Sequence, residues 1–225
     1  MKVVLSLGGS LLVEKLDANN IIKYADLIKE FSKKNKIGVV VGGGRTAREY
    51  LSVAEKLNAS KTFCDYIGID ITRINARLLM AALQGNCNEL IPKDFEEALT
   101  YFDRHPVVVM GGIMPGVSTD AIAALLAEEL KTDRLVNASN VAGIYDSDPK
   151  KNPKAKKFNK MTHDQLVLLC AEHDKRRPKE KFIFDLFAAK ILARSNIEAH
   201  FVLGDVSIMK KAFLGEKHSG TIVRD

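Results

Sequence analysis

Tryptophan is absent from the 225 residues, and aromatic residues as a whole reach only 7%. A surface built to stack nucleobases needs aromatic platforms beside its cations. That scarcity argues against a nucleic-acid partner, although Lys and Arg outnumber Asp and Glu by 34 to 28, a net +6. Cysteine is scarce too. Cys64, Cys87 and Cys170 have no metal-ligand spacing and leave an odd thiol, which points to a reducing compartment and a cytoplasmic protein. Six prolines and 15 glycines leave no room for a low-complexity linker. No apolar run approaches the roughly 20 residues that span a bilayer, so no membrane partner is expected. Residues Val3 to Val13, after Met1-Lys2, mimic a short export signal. However, Gly8-Gly9-Ser10 interrupts the run, and it meets Glu14 without a small-residue cleavage site, so a buried strand and a turn are expected. The five histidines, His105, His163, His173, His200 and His218, are scattered and form no Ser/His/Asp or metal pattern; His200 sits in an apolar run and reads as a packed core residue.

What is present is ordinary globular material, 46% hydrophobic and 28% charged. A chain of this length buries roughly 70% of its unfolded surface and needs no metal or disulfide to fold. The positive balance favours anionic partners, although most lysines are expected to be a solvated surface. Short apolar runs at Val3–Leu7, Ile37–Val41 and Val107–Met110 read as strands buried on both faces, with Leu135-Val136, Ala199–Leu203 and an edge strand at 221–223 completing a sheet. Helical spacing appears in Ile21, Ala25, Ile28 and Phe31, in Ala47, Leu51, Ala54 and Leu57, over about Ile67 to Leu83, from Ala121 to Leu130 behind a Ser118 or Thr119 cap, and from Asp185 to Arg194. Asp205 can cap a last helix. The lysine-rich segment 149–160 and the charge run His173–Lys181 read as solvated loops. Alternating strands and helices predict an α/β fold, a three-layer αβα sandwich with a largely parallel central sheet, as one domain over residues 1–225.

Three of these strands run directly into glycines: Gly8-Gly9, Gly42-Gly43-Gly44 and Gly111-Gly112. The carboxyl ends of parallel strands share one sheet edge, where ligand crevices form. Glycines there let backbone N–H groups approach an anion, and the next helix presents its positive end. One such turn has a purely steric explanation; three in one chain point to a phosphate site. Neither the G-x-x-x-x-G-K-[ST] loop nor the G-x-G-x-x-G fingerprint occurs.

Gly8-Gly9-Ser10, Val41-Gly42-Gly43-Gly44-Arg45 and Ser118-Thr119-Asp120-Ala121 resemble the amino acid kinase superfamily. Phe63 to Ile69, Thr72-Arg73, Asn75-Ala76, Asn140 to Tyr145, Asp148 to Lys151, Asp185 to Ser195 and Gly220-Thr221 are similar, in order along the whole chain, to its archaeal uridylate kinase type. The resemblance implies phosphoryl transfer from ATP with Mg²⁺ to UMP, no general base, an acceptor-binding N-terminal half and an ATP-binding C-terminal half, and a homo-oligomer, a hexamer in that family. It implies that Ser6, Leu7, Gly8, Gly9, Ser10, Gly44, Arg48, Ser139, Asn140, Tyr145 and Asp148 bind ATP. It assigns UMP to Gly43, Asp65 and the run Ile113, Met114, Pro115, Gly116, Val117, Ser118 and Thr119. Asp65 would take the ribose hydroxyls, with a helix cap as its plain alternative; Asp120 would orient the metal or contact the acceptor site, or again serve as a cap. Tyr145 lies near the adenine or packs in the core.

Two departures stand out. Ser6 occupies a position where many superfamily members carry lysine, and Ala142 one where the family usually has Asp. Arg48, one helical turn past Gly44, or Lys190, on the helix where family members often place a catalytic cation, would supply the missing charge. The rival readings are an isopentenyl phosphate or acetylglutamate kinase of the same superfamily, and a non-catalytic nucleotide-binding module. Isopentenyl phosphate has no diol for Asp65, which favours UMP.

Overall fold

The computed structural model describes residues 1–174 and 184–225. Seven strands form one sheet: β1 (Lys2–Leu7), β2 (Lys36–Val41), β3 (Val107–Met110), β4 (Arg134–Ser139), β5 (Lys160–Met161), β6 (Ala199–Leu203) and β7 (Thr221–Val223). Their order is β3-β2-β1-β4-β6-β7-β5. Every pairing is parallel except β6 with β7.

The central strands are buried on both faces, and the period-2 alternation sorts their side chains. Val3, Leu5 and Leu7 face a core built with α2 (Ala18–Ser32), α4 (Lys61–Leu83) and α9 (Val206–Leu214). Val4 and Leu135 face a second core built with α5 (Phe95–Arg104), α6 (Thr119–Glu129), α7 (His163–Asp174) and α8 (Leu186–Arg194). The result is the expected helix–sheet–helix sandwich. Two further helices, the single turn α1 (Gly9–Leu12) and α3 (Gly44–Lys56), leave the carboxyl ends of β1 and β2 directly.

Several elements differ from the sequence reading. Helix α4 begins at Lys61, not near Ile67, because Ser60 caps it by accepting the Phe63 N–H at 3.1 Å. Helices α5 and α7 and strand β5 were not anticipated. Helix α5 is capped by Asp94, which accepts the Glu97 N–H at 2.8 Å, while the Glu97 carboxylate accepts the Lys93 N–H. Only Ala98 and Phe102 of that helix are buried, too few to register as a periodic stripe. Strand β7 is not an edge strand, since it pairs antiparallel with β6 and parallel with β5. Of the charge run at 173–181, His173 and Asp174 end α7, and the remainder lies outside the described residues. No described helix is long and apolar enough to cross a membrane.

His200 on β6 is buried, as expected, but in a polar chain. Its Nδ1 lies 2.7 Å from His218 Nε2 and its Nε2 lies 2.7 Å from Glu198 Oε1. The Gly220 N–H donates to His218 Nδ1 at 3.0 Å. This donor leaves His218 protonated only on Nε2, from which it donates to His200; His200 then donates to Glu198. Both rings are neutral. Burial, with His200 and Lys157 nearby, lowers the His218 pKa from 6.5 to about 4. The folded value lies below the unfolded one, so the stabilisation is complete above pH 6.5 and is lost as pH falls toward 4. The melting temperature should therefore drop across that window. In His218→Gln, thermal melts at a series of pH values should give a flatter profile there; an unchanged slope rejects the link.

Candidate functional site

The glycine turns after β1 and β2 pack back to back. A Cβ on Gly9 would stand 2.2 Å from the Gly44 nitrogen and 2.4 Å from the Gly42 oxygen. Gly44 adopts φ +65, and a Cβ there would meet the Gly9 oxygen at 2.5 Å. Glycine is thus required at both positions by backbone contact. Helix α4 braces these turns with buried polar side chains. Asn75 Nδ2 donates to the carbonyls of Gly42 and Gly43 at 2.9 and 3.2 Å. Thr72 Oγ1 accepts the Gly112 N–H at 2.7 Å and donates to the Ile69 carbonyl. One helix therefore fixes the turns that follow β2 and β3.

Above the turns lies a cavity of about 360 Å³. It brings together Ser6, Gly8, Gly9, Ser10, Gly43 and Gly44 from the first two strand ends. Arg48, Thr119 and Asp120 enter from α3 and α6, and Ser139, Asn140 and Asp148 from the end of β4 and the loop beyond. A second cavity of about 240 Å³ is lined by Asp65, Met114, Val117 and Ser118. Gly43 and Thr119 line both cavities. They stand at the N-termini of α3 and α6, so two helix ends converge where the cavities meet.

Asp120 sits in the first turn of α6, but the cap is Ser118, whose Oγ accepts the Ala121 N–H at 3.1 Å. The Asp120 Oδ1 instead accepts from Ser6 Oγ at 2.9 Å and from Asn137 Nδ2 at 2.8 Å. Ser6 and Asn137 are register partners on β1 and β4, so the sheet floor presents two neutral donors to one carboxylate oxygen. Asp65 is not a cap either, since it lies inside α4. Its Oδ2 accepts the Gly116 N–H at 2.9 Å, which ties the 113–117 loop to α4. Arg48 Nη2 approaches Glu14 at 3.9 Å with both side chains more than half exposed, a loose pair that contributes little.

Some anticipated residues do not line either cavity. Leu7 is fully buried on the opposite sheet face, and only its carbonyl, accepting the Gly42 N–H, serves the turn. Tyr145 is half-buried in a bridge with Lys157. Lys190 is exposed on α8, away from the cavity wall, because its neighbours Ala188, Ala189 and Ile191 take the buried side of that helix. Ile113 packs against the α6–α8 core, and Pro115 and Gly116 belong to the loop beside Asp65. Ala142 is half-buried and also stands off the lining. The sequence reading missed Asn137, Thr72, Asn75 and Lys150 as site residues. The available signal was polarity out of place: Asn137 in an apolar strand, and Thr72 and Asn75 three residues apart on the buried stripe of α4.

The sequence pattern of the amino acid kinase family matches residues 1–202. The uridylate kinase of Archaeoglobus fulgidus is 44% identical over 223 residues, 99% of this chain and 100% of that protein. That of Thermococcus kodakarensis is 42% identical over 224 residues, 99% of each. The crystal structure of uridylate kinase from Archaeoglobus fulgidus superposes with a TM-score of 0.88 at 45% identity, covering 99% of this chain and 100% of that one. At 23% identity the UMP kinase of Bacillus anthracis shares the fold, with a TM-score of 0.81 over 100% of this chain and 96% of its own.

The glycine contacts give a contrast that stability measurements can check. Gly9→Ala forces the two turns apart and should cost about 3 kcal/mol or more. Gly68→Ala, inside α4 where an added Cβ meets nothing within 4 Å, should stabilise by about 0.5–1 kcal/mol. Denaturant melts of both variants test this. Equal effects would mean the back-to-back contact is not limiting.

Proposed function

The chain belongs to the amino acid kinase family, and on that footing we propose that it transfers the γ-phosphoryl group of ATP to UMP, giving UDP and ADP for pyrimidine nucleotide (CTP) synthesis in the cytoplasm. The observation that carries this reading is the pair of cavities meeting at Gly43 and Thr119, beneath two helix N-termini. The larger cavity suits the donor and the smaller one, with Asp65, the acceptor. The acceptor phosphate is already ionised at neutral pH, so no base is needed to activate it. One of its oxygens forms a bond to the γ-phosphorus as the bond from that phosphorus to ADP breaks, and the electron pair leaves with ADP. Catalysis then consists of alignment and charge neutralisation. The glycine-turn amides hold phosphate oxygens, and Arg48 brings a cation from α3. Asp120, its oxygen steadied by Ser6 and Asn137, fits a hard, oxygen-seeking ion that phosphates otherwise hold. When bound, Mg²⁺ neutralises the donor's phosphate charge; Asp120 is the residue that would hold it, directly or through water.

A homo-oligomer belongs to the same reading, a hexamer by resemblance. Tyr50, Val53, Leu57 and Phe63 form an exposed apolar face across α3 and α4, which such an assembly would cover.

The function is tested by coupled ADP release with UMP, CMP, dTMP, isopentenyl phosphate and N-acetylglutamate as acceptors. UMP should give the highest kcat/KM, and a preference for another acceptor overturns the reading. Arg48→Ala should lower kcat by roughly 10³-fold while changing the KM for UMP far less; near-normal turnover would reduce Arg48 to a surface charge.

Acceptor choice gives a second measurement. A 2′-deoxy acceptor removes one hydroxyl donor from Asp65, so dUMP should be roughly ten- to hundredfold poorer than UMP in kcat/KM. Asp65→Asn keeps an oxygen for the Gly116 N–H but loses the charge, and the ratio should shrink to about threefold. A folded variant with an unchanged ratio rejects the ribose role.

A further inference from the structure

With Ser6 at the floor, the large cavity needs cations from elsewhere. Among the described residues its lining contains two, Arg48 and Lys150. Arg48 leaves the turn after β2, while Lys150 sits in the loop after β4. β2 and β4 flank β1, so the two cations approach from either side of the Gly8-Gly9 turn.

The loop carrying Lys150 is tied internally. Asp148 Oδ1 accepts the Lys150 N–H at 2.9 Å, and the Asp148 carbonyl accepts the N–H groups of Lys151 and Asn152 at 3.1 and 2.8 Å. Asp146 Oδ1 accepts the Lys156 N–H at 2.9 Å and the Ser147 hydroxyl at 3.0 Å, while Asn152 Nδ2 donates to Ser147 Oγ. The Tyr145–Lys157 bridge closes the loop, and Lys157 Nζ donates to the Ser219 carbonyl. The nearby carboxylates thus bind backbone N–H groups. No ion pair to the Lys150 ammonium occurs among the described residues, although its backbone is held at the cavity wall.

We propose that Lys150 is the donor-side cation of the transfer, binding the phosphate chain of ATP and neutralising the charge that collects on the β-phosphate as ADP leaves. This rests on the kinase reading above. As the acceptor oxygen bonds to the γ-phosphorus, the bridging oxygen keeps the electron pair of the broken bond. An ammonium that meets this charge is worth more in the transition state than in the bound substrate. Arg48 and Lys150 then divide between them the role that a single lysine on β1 would fill.

The test compares Lys150→Gln and Lys150→Arg with the unsubstituted enzyme, using calorimetric binding of ADP and AMP and steady-state kinetics with UMP. Lys150→Gln should weaken ADP binding by about tenfold or more, leave AMP within about twofold, and lower kcat about ten- to hundredfold with the KM for UMP unchanged. Lys150→Arg should recover most of both losses. Equal weakening of ADP and AMP, or ADP affinity and kcat both within about twofold of the unsubstituted enzyme, overturns the proposal. Failure of the kinase reading would appear separately, as an unsubstituted protein that binds ADP but does not phosphorylate UMP.

Discussion

Backbone against backbone is the contact on which the site depends. Gly9 presses on Gly42 and Gly44 at distances no side chain permits, and this brings the ends of β1 and β2 together. Helix α4 then locks the arrangement through Asn75 and Thr72, each a buried polar group satisfied by turn backbone rather than by water. Because the same helix carries Asp65 on the smaller cavity, the glycine turns and one wall of that cavity share one rigid support. On the proposed reading, movement of α4 relative to the sheet would misalign both substrates together, and alignment is most of what phosphoryl transfer asks of a protein.

The charge arrangement is equally economical. A half-buried carboxylate needs compensation, and here two neutral donors on adjacent strands provide part of it at Asp120. Arg48 and Lys150 stand at the walls, with both side chains exposed to water. The site does not bury a lysine ahead of substrate, and so avoids the desolvation cost that a cation at position 6 would carry.

The sandwich was legible because three of its strands are short apolar runs ending in glycine and alternate with helical stripes, a pattern that fits a buried parallel sheet. The glycine turns were legible for the same reason. Helix α5 was not, because it buries only Ala98 and Phe102 and its start rests on the Asp94 cap rather than on periodicity; α7 was not, because it buries few side chains among the described residues. Strand β5 has two residues and is defined only by its partner β7, a non-local fact. Asp65 and Asp120 could be placed at the site from motifs, but their partners could not. Gly116 is far from Asp65 in sequence, and Asn137 becomes a neighbour of Ser6 only through strand register. Both Arg48 and Lys190 were open as the missing cation in the sequence, and only helix orientation shows that Arg48 lines the cavity while Lys190 is exposed away from it.

The antiparallel return of β7 has a consequence for how the chain becomes competent. Thr221 on β7 accepts the Ile144 N–H at 2.9 Å and donates to the Phe158 carbonyl, 63 residues earlier. Among the described residues, strand β5 has no sheet partner other than β7. During synthesis the segment from Asn140 to Met161 therefore emerges well before the strand that anchors it. Until β7 is placed, the Ile144 N–H and the Phe158 carbonyl lack their Thr221 partner, so the cavity wall formed by this segment depends on a strand that comes much later in the chain.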